Sequence, residues 1–149
     1  MQLNRILAQH SSCYTSLSAD TTMDQALIAL THQGKTALVV LDGGKITGIL
    51  TRTDVVKALA SGRYALNAEK TVAQMMTQEL VISDPQTSFA HALDRMVQRD
   101  IEHLPIIEDG RLLTVIHERD LLRGRISALE ADIRQLQEYI DNLHNATQD

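Results

Sequence analysis

Apolar and polar positions alternate along this chain in two rhythms, and both recur in the second half. Met23, Ala26, Leu27 and Leu30 keep the i, i+3, i+4, i+7 spacing of an amphipathic helix. Thr22 and Asp24 stand at its start and Gly34 at the position of a C-cap, so a helix is predicted over about 22–33. Thr36–Leu41 and Lys45–Leu50, rich in Leu, Val and Ile, flank Asp42-Gly43-Gly44, a turn that tolerates positive φ, and predict a β-hairpin. A second helix is predicted from Thr53 to about Ala60, before Ser61-Gly62. The order then returns: a helix from Ser88 to about Arg99, a strand Leu104–Ile107, a turn at Glu108-Asp109-Gly110, a strand Arg111–Ile116 and a helix opening near Asp120. A short leading strand is predicted before each unit, at Thr15–Ser18 and at Leu80–Ser83. The latter is the better bounded, because the residue before Pro85 is pushed out of the helical region. A linker around Arg63–Lys70 joins the units.

The recurrence is a duplication. Shifting the chain by 66 positions superposes Ala26, Leu27, Leu38, Gly44 and Asp54 on Ala92, Leu93, Leu104, Gly110 and Asp120 without a gap, and aligns the apolar pattern around them. A unit of some 60 residues buries too little surface to be comfortable alone, so two copies packed through their hairpin sheets are expected, with clefts between them. The predicted fold class is α+β, an α/β sandwich of two β-α-β-β-α repeats.

Past the second repeat the rhythm changes again. Ile126, Leu129, Ile133, Leu136, Ile140 and Leu143 alternate by three and four, with Ile at every a position and Leu at every d, the preference of a parallel two-stranded coiled coil. In that register Arg125 is a g position and Glu130 the following e, so a parallel partner brings opposite charges together. The competing reading is a helix folded back onto its own module. Gly124 is expected to let the segment change direction.

Composition narrows the function. Apolar residues are 44% of the 149 and aromatics 3% with no Trp, so the core is built from Leu, Ile, Val, Ala and Met. A net charge of -5 without clustered Lys and Arg argues against nucleic acid. Cys13 is the single cysteine and is expected to be a free structural thiol, Met1–Leu7 is too short and polar for a secretory signal, and no apolar run reaches membrane-spanning length; a cytoplasmic location without membrane contact is expected. The six histidines, His10, His32, His91, His103, His117 and His144, lack metal-ligand spacing, so no metal is expected, and His103 is read as a partly buried structural residue. Met75-Met76, Met23, Phe89 and Met96 are read as core. No constellation of nucleophile, base and oxyanion donors is present, so an enzyme is not expected.

Gly48-Ile49-Leu50-Thr51-Arg52-Thr53-Asp54 closes the first hairpin as Gly, two apolar residues, Thr, two variable residues and Asp; Val72-Ala73-Gln74-Met75-Met76-Thr77 is a short lead-in ending in Met-Thr; His103-Leu104-Pro105-Ile106-Ile107 is a Leu-Pro-Ile-Ile strand. With the duplication, these motifs resemble the cystathionine β-synthase (CBS) domain pair, or Bateman module, in its stand-alone bacterial type. The resemblance divides the chain into repeats at 1–67 and 68–124 and a helical extension at 125–149. It implies an adenosine-containing ligand, AMP, ADP, ATP or S-adenosylmethionine, between the repeats, with Asp54 on the ribose hydroxyls, Thr51 nearby and Gly48 admitting the ligand close to the backbone. The second copy, Thr114-Val115-Ile116-His117-Glu118-Arg119-Asp120, keeps its Asp but has Thr for Gly and His for the hydroxyl residue. His117 and Arg119 could reach a phosphate, Glu118 would oppose it, and ligand is expected first at the Asp54 copy. Thr51-x-x-Asp54 is also nearly a capping box, whereas His117 is expected to be a poor cap. The implied function is a regulatory sensor acting through a homodimer and a protein partner. The alternative is a ligand-free dimerising adaptor that presents its C-terminal helix.

Overall fold

The computed structural model describes residues 1–8, 14–32, 35–66 and 68–148; Cys13, His10 and the Gly34 cap position lie outside them. In the first repeat β1 (Ser16–Leu17) runs parallel to β2 (Ala37–Asp42), which pairs antiparallel with β3 (Lys45–Thr51), while α2 (Met23–Thr31) and α3 (Arg52–Ala60) cover the sheet. In the second, β4 (His103–Glu108) and β5 (Arg111–His117) form the hairpin, with α5 (Phe89–Arg99) before it and α6 (Glu118–Thr147) after it. Both hairpins turn through a residue pair at positive φ, Gly43 (56°) with Gly44 (83°) and Asp109 (50°) with Gly110 (75°), the pattern that follows strand twist in tight hairpins. Each carries one irregularity at the same repeat position, after Val40 and after Ile106. Strands β3 and β5 lie against one another where the repeats meet.

The leading strands emerge in the reverse of the expected order of strength. Ser16–Leu17 is a strand, while the second copy has one parallel bridge, Ser83 to Ile106. The cause is Pro105. The Val39 amide, its counterpart at the 66-residue offset, donates 2.9 Å to the Thr15 carbonyl; a proline has no N–H to repeat that bond.

Two short helices exchange between the repeats. α1 (Leu3–Leu7), unforeseen in the sequence, buries Leu3 and Ile6 with Ala92, Met96, Leu104 and Leu121 of the second core. α4 (Val72–Met75) reciprocally buries Val72 and Met75 with Met23, Leu38 and Leu50 of the first. The backbone bonds match as pairs. Phe89 N donates to Met1 O and Met23 N to Lys70 O, at 2.8 and 2.9 Å; Leu3 N donates to Thr87 O and Val72 N to Thr21 O, at 2.9 and 2.8 Å. Packing therefore crosses the sequence boundary at 67–68 in both directions, and each core requires a segment of the other repeat.

The C-terminal helix does not begin at 125. α6 is one helix of 30 residues, about 45 Å at 1.5 Å per residue. Its first turns pack on α1 and α5, and the helix leaves the globular part without folding back: every described residue from Leu129 onward is exposed. Gly124 does not redirect it. The glycine is buried within the helix, and a Cβ there would stand 3.0 Å from both Cγ1 and Cγ2 of Ile6, so its smallness admits α1.

Candidate functional site

Two clefts open where the repeats meet, and both are built from the hairpin-to-helix junction of one repeat and the approach to the first hairpin strand of the other. In the first cleft, of about 310 Å³, Thr51, Thr53, Asp54 and Lys57 face Asp100, Glu102 and His103. In the second, of about 200 Å³, His117, Arg119 and Asp120 face Lys35, Thr36 and His103. The duplication relates them position by position: adding 66 to Thr51, Thr53 and Asp54 yields His117, Arg119 and Asp120, and subtracting 66 from Ile101 and Glu102 yields Lys35 and Thr36. Thus the structure brings Thr51 with Asp54 into one cleft, and His117, Arg119 and Asp120 into the other.

Gly48 belongs to neither lining. It is buried in β3, where an added Cβ would lie 2.8 Å from Met76 Cγ and 3.1 Å from the Thr77 carbonyl oxygen. Its smallness therefore serves the crossover segment, whose Thr77 exchanges two backbone hydrogen bonds with Ile49 at 2.8 and 3.0 Å.

The start of each helix is capped by the motif side chain. Thr51 Oγ1 accepts from Asp54 N at 3.1 Å, and Asp54 Oδ2 accepts from Thr51 N at 3.0 Å. This reciprocal box satisfies two donors that a helix start otherwise leaves open. His117, expected to be a poor cap, does the same work: its Nδ1 accepts from Arg119 N at 3.0 Å. A neutral imidazole has one acceptor nitrogen and one donor, so Nδ1 here is the unprotonated one. The protonated Nε2 then faces Glu102 Oε2 at 3.8 Å. The Asp120 side chain, half-buried, has no hydrogen bond to the other described residues, and both of its carboxylate oxygens are acceptors.

His103 lines both clefts. Its Nε2 is 2.7 Å from Thr36 Oγ1, and its ring meets His117 edge-on, with centroids 4.8 Å apart at 83°. Burial, then the neighbouring His117 and Arg119, lower its pKa to about 4, with Asp120 opposing; His103 is therefore neutral near pH 7. It is the structural residue expected, and it is also the wall between two sites. Lys35, Thr36, Asp100 and Glu102 were not among the sequence candidates. The 66-residue offset pairs Lys35 and Thr36 with Ile101 and Glu102, but only the packing of the repeats puts these segments opposite the motif. Among the described residues no group of three or more His, Cys, Asp or Glu side chains could hold a metal ion, and no helix is long and apolar enough to cross a membrane.

The CBS-domain profile matches residues 11–61 and 72–127, most of the chain. The chain belongs to the CBS-domain family. It is 27% identical over 129 residues to the mitochondrial CBS domain-containing protein CBSX3 of Arabidopsis thaliana, covering 83% of this chain and 62% of that one. The CBS-domain protein ATU1752 of Agrobacterium tumefaciens superposes at a TM-score of 0.77 with 26% identity, over 84% of this chain and 99% of that one. The CBS pair of MJ0100 in complex with 5′-methylthioadenosine and S-adenosyl-L-methionine shares the fold at a TM-score of 0.70 and 23% identity, over 83% of this chain and 94% of that one. CBSX2 in complex with AMP does so at 0.65 and 21%, over 77% and 89%.

Proposed function

We propose that this CBS pair is a regulatory sensor. It takes an adenosine-containing ligand, AMP, ADP, ATP or S-adenosylmethionine, in the clefts between its repeats and transmits occupancy through a homodimer to a protein partner in the cytoplasm. The observation that carries the reading is the pair of clefts related by the duplication, each with a carboxylate, Asp54 or Asp120, on the first turn of a helix. A carboxylate there accepts from both hydroxyls of a ribose. The ligands named for MJ0100 and CBSX2 support the same class. Apolar side chains without a partner in the monomer support pairing: Ile28, Val56 and Val97 are 60–65% exposed on the outer helices, and the Ile/Leu seam of α6 is 43–62% exposed. A contiguous apolar stripe of this kind marks an interaction surface. Calorimetric titration of the full chain with the four compounds tests the reading. Heat is expected with at least one, abolished by Asp54→Ala or Asp120→Ala. No heat with any of them, and unfolding temperatures indifferent to both substitutions in their presence, would overturn it.

The alternative is a ligand-free dimerising adaptor. It is favoured by the capping bonds, which give Thr51, Asp54 and His117 structural work without a ligand. A monomeric full-length chain in sedimentation would exclude it.

A further inference from the structure

The clefts share a plan and differ in charge. The first combines Lys57 with Asp54, Asp100 and Glu102, a formal charge of −2; the second combines Lys35 and Arg119 with Asp120, a formal charge of +1 before any histidine is counted. The difference arises at matched positions. Thr53 in one cleft corresponds to Arg119 in the other, and on the facing repeat Glu102 corresponds to Thr36 and Ile101 to Lys35. An adenosine moiety is neutral, so the group carried at its 5′ end decides which cleft it suits. A phosphate at pH 7 carries close to two negative charges and seeks Arg or Lys donors. Beside Asp100 and Glu102 it would meet like charges, whereas a sulfonium or ammonium group would be stabilised there.

We infer that the two clefts sort adenosine compounds by charge: the Asp120 cleft takes those bearing phosphate, held by Arg119 and Lys35, and the Asp54 cleft takes neutral or cationic ones. This rests on the reading that the clefts bind adenosine compounds at all. It also reverses the preference that motif completeness suggested. The second copy, which lost its Thr, is the one equipped for a nucleotide. Its His117 stands where Thr51 stands in the other cleft and keeps the helix capped through Nδ1, so the missing Thr does not open the helix start. Glu118, which the sequence set against a phosphate, does not line this cleft.

The test is calorimetric titration of the full chain with adenosine, AMP, ADP, ATP and S-adenosylmethionine at low and high salt, repeated in Asp54→Asn, Asp120→Asn, Arg119→Gln and the double variant Asp100→Asn with Glu102→Gln. Asn is suited to position 100, whose φ is 51°. Affinity is expected to rise from AMP to ATP at a site lost in D120N and to weaken with salt. Arg119→Gln should lower ATP affinity about tenfold or more, the effect of losing a charge-assisted contact, and leave S-adenosylmethionine unchanged. The double variant should gain a second, weaker site for ATP. If ATP binding survives D120N and is lost in D54N, or if R119Q leaves the AMP-to-ATP series unaltered, the sorting is overturned while the clefts remain adenosine sites. If none of the five probes binds, both readings fall together.

Discussion

Replacing Gly124 with Ala sets two opposed effects against each other, and their balance reports whether α1 is docked on α6. In a helix interior Gly→Ala is favourable by about 0.8–1.0 kcal/mol. At this position the new methyl would stand 3.0 Å from Ile6 Cγ1, 3.0 Å from Cγ2 and 3.3 Å from Cδ1. Ile6 is 2% exposed and enclosed by the second core, so it has little room to yield, and overpacking of this kind costs about 1–3 kcal/mol. The expected net change is a loss of about 0–2 kcal/mol, a fall of a few degrees in Tm for a chain of this size. Ile6→Ala alone leaves a cavity and costs about 2–5 kcal/mol, but it removes the three atoms nearest the new methyl. In the Ile6→Ala background Gly124→Ala should therefore stabilise by about 1 kcal/mol, so that the two substitutions couple by roughly 1–3 kcal/mol. Urea unfolding of the four proteins at one protein concentration measures this, since Tm shifts with concentration wherever subunits associate. A rise in stability on Gly124→Ala in the wild-type background, additive with Ile6→Ala, would refute the contact and restore the glycine as a hinge.

Three further outcomes follow from other sites. His103 has its pKa lowered to about 4, so below pH 6.5 the unfolded chain takes up a proton that the folded one refuses. Its contribution is complete above pH 6.5 and is lost as pH falls toward 4, about 2–3 kcal/mol over the window; urea midpoints measured from pH 7 to 4.5 should fall accordingly, and an equal slope in His103→Gln would refute the assignment. Thr51→Ala removes the acceptor that Asp54 N uses and should cost about 1 kcal/mol with no ligand present; thermal unfolding unchanged in the ligand-free protein would show that the box contributes nothing. Ile133, 54% exposed at the middle a position of the α6 seam, should tolerate Lys in the monomer and not in a coiled coil. Sedimentation should show Ile133→Lys driving a dimer to monomer, and a variant that remains fully dimeric would place the subunit contact elsewhere.

What the sequence disclosed was whatever repeats locally. Hairpins, their positive-φ turns and the helices after them carry their signals within a dozen residues, and their boundaries in the structure agree within a residue or two. By contrast the leading strand before β4 was misjudged: Pro85 bounded it in the sequence, but Pro105 stands where the Val39 amide ties Thr15 into the first sheet, and that loss shows only when the two copies are overlaid. Helix α1 has five residues and no cap of its own; what orders it is the burial of Leu3 and Ile6 in a core formed some ninety residues later. A helix that short is marginal by itself. Gly124 likewise reads the same in sequence whether it bends a helix or admits a neighbour.

The binding motif misleads for a related reason. Its residues are contiguous, so its completeness reports how well a helix start is capped, and Thr51 with Asp54 does that through two backbone bonds. The cleft is assembled from the other repeat as well. Asp100 and Glu102 face Asp54, whereas Lys35 faces Asp120, and none of the three lies within the seven-residue motif of either repeat. A motif that has drifted at Thr114 and His117 can therefore belong to the cleft better suited to phosphate, because His117 retains the cap through Nδ1 and the charge is supplied by Arg119 and by the facing repeat. In a duplicated fold whose sites lie between the copies, specificity follows from the residues at matched offsets on the opposite copy, and those are the positions where a substitution should exchange one ligand class for the other.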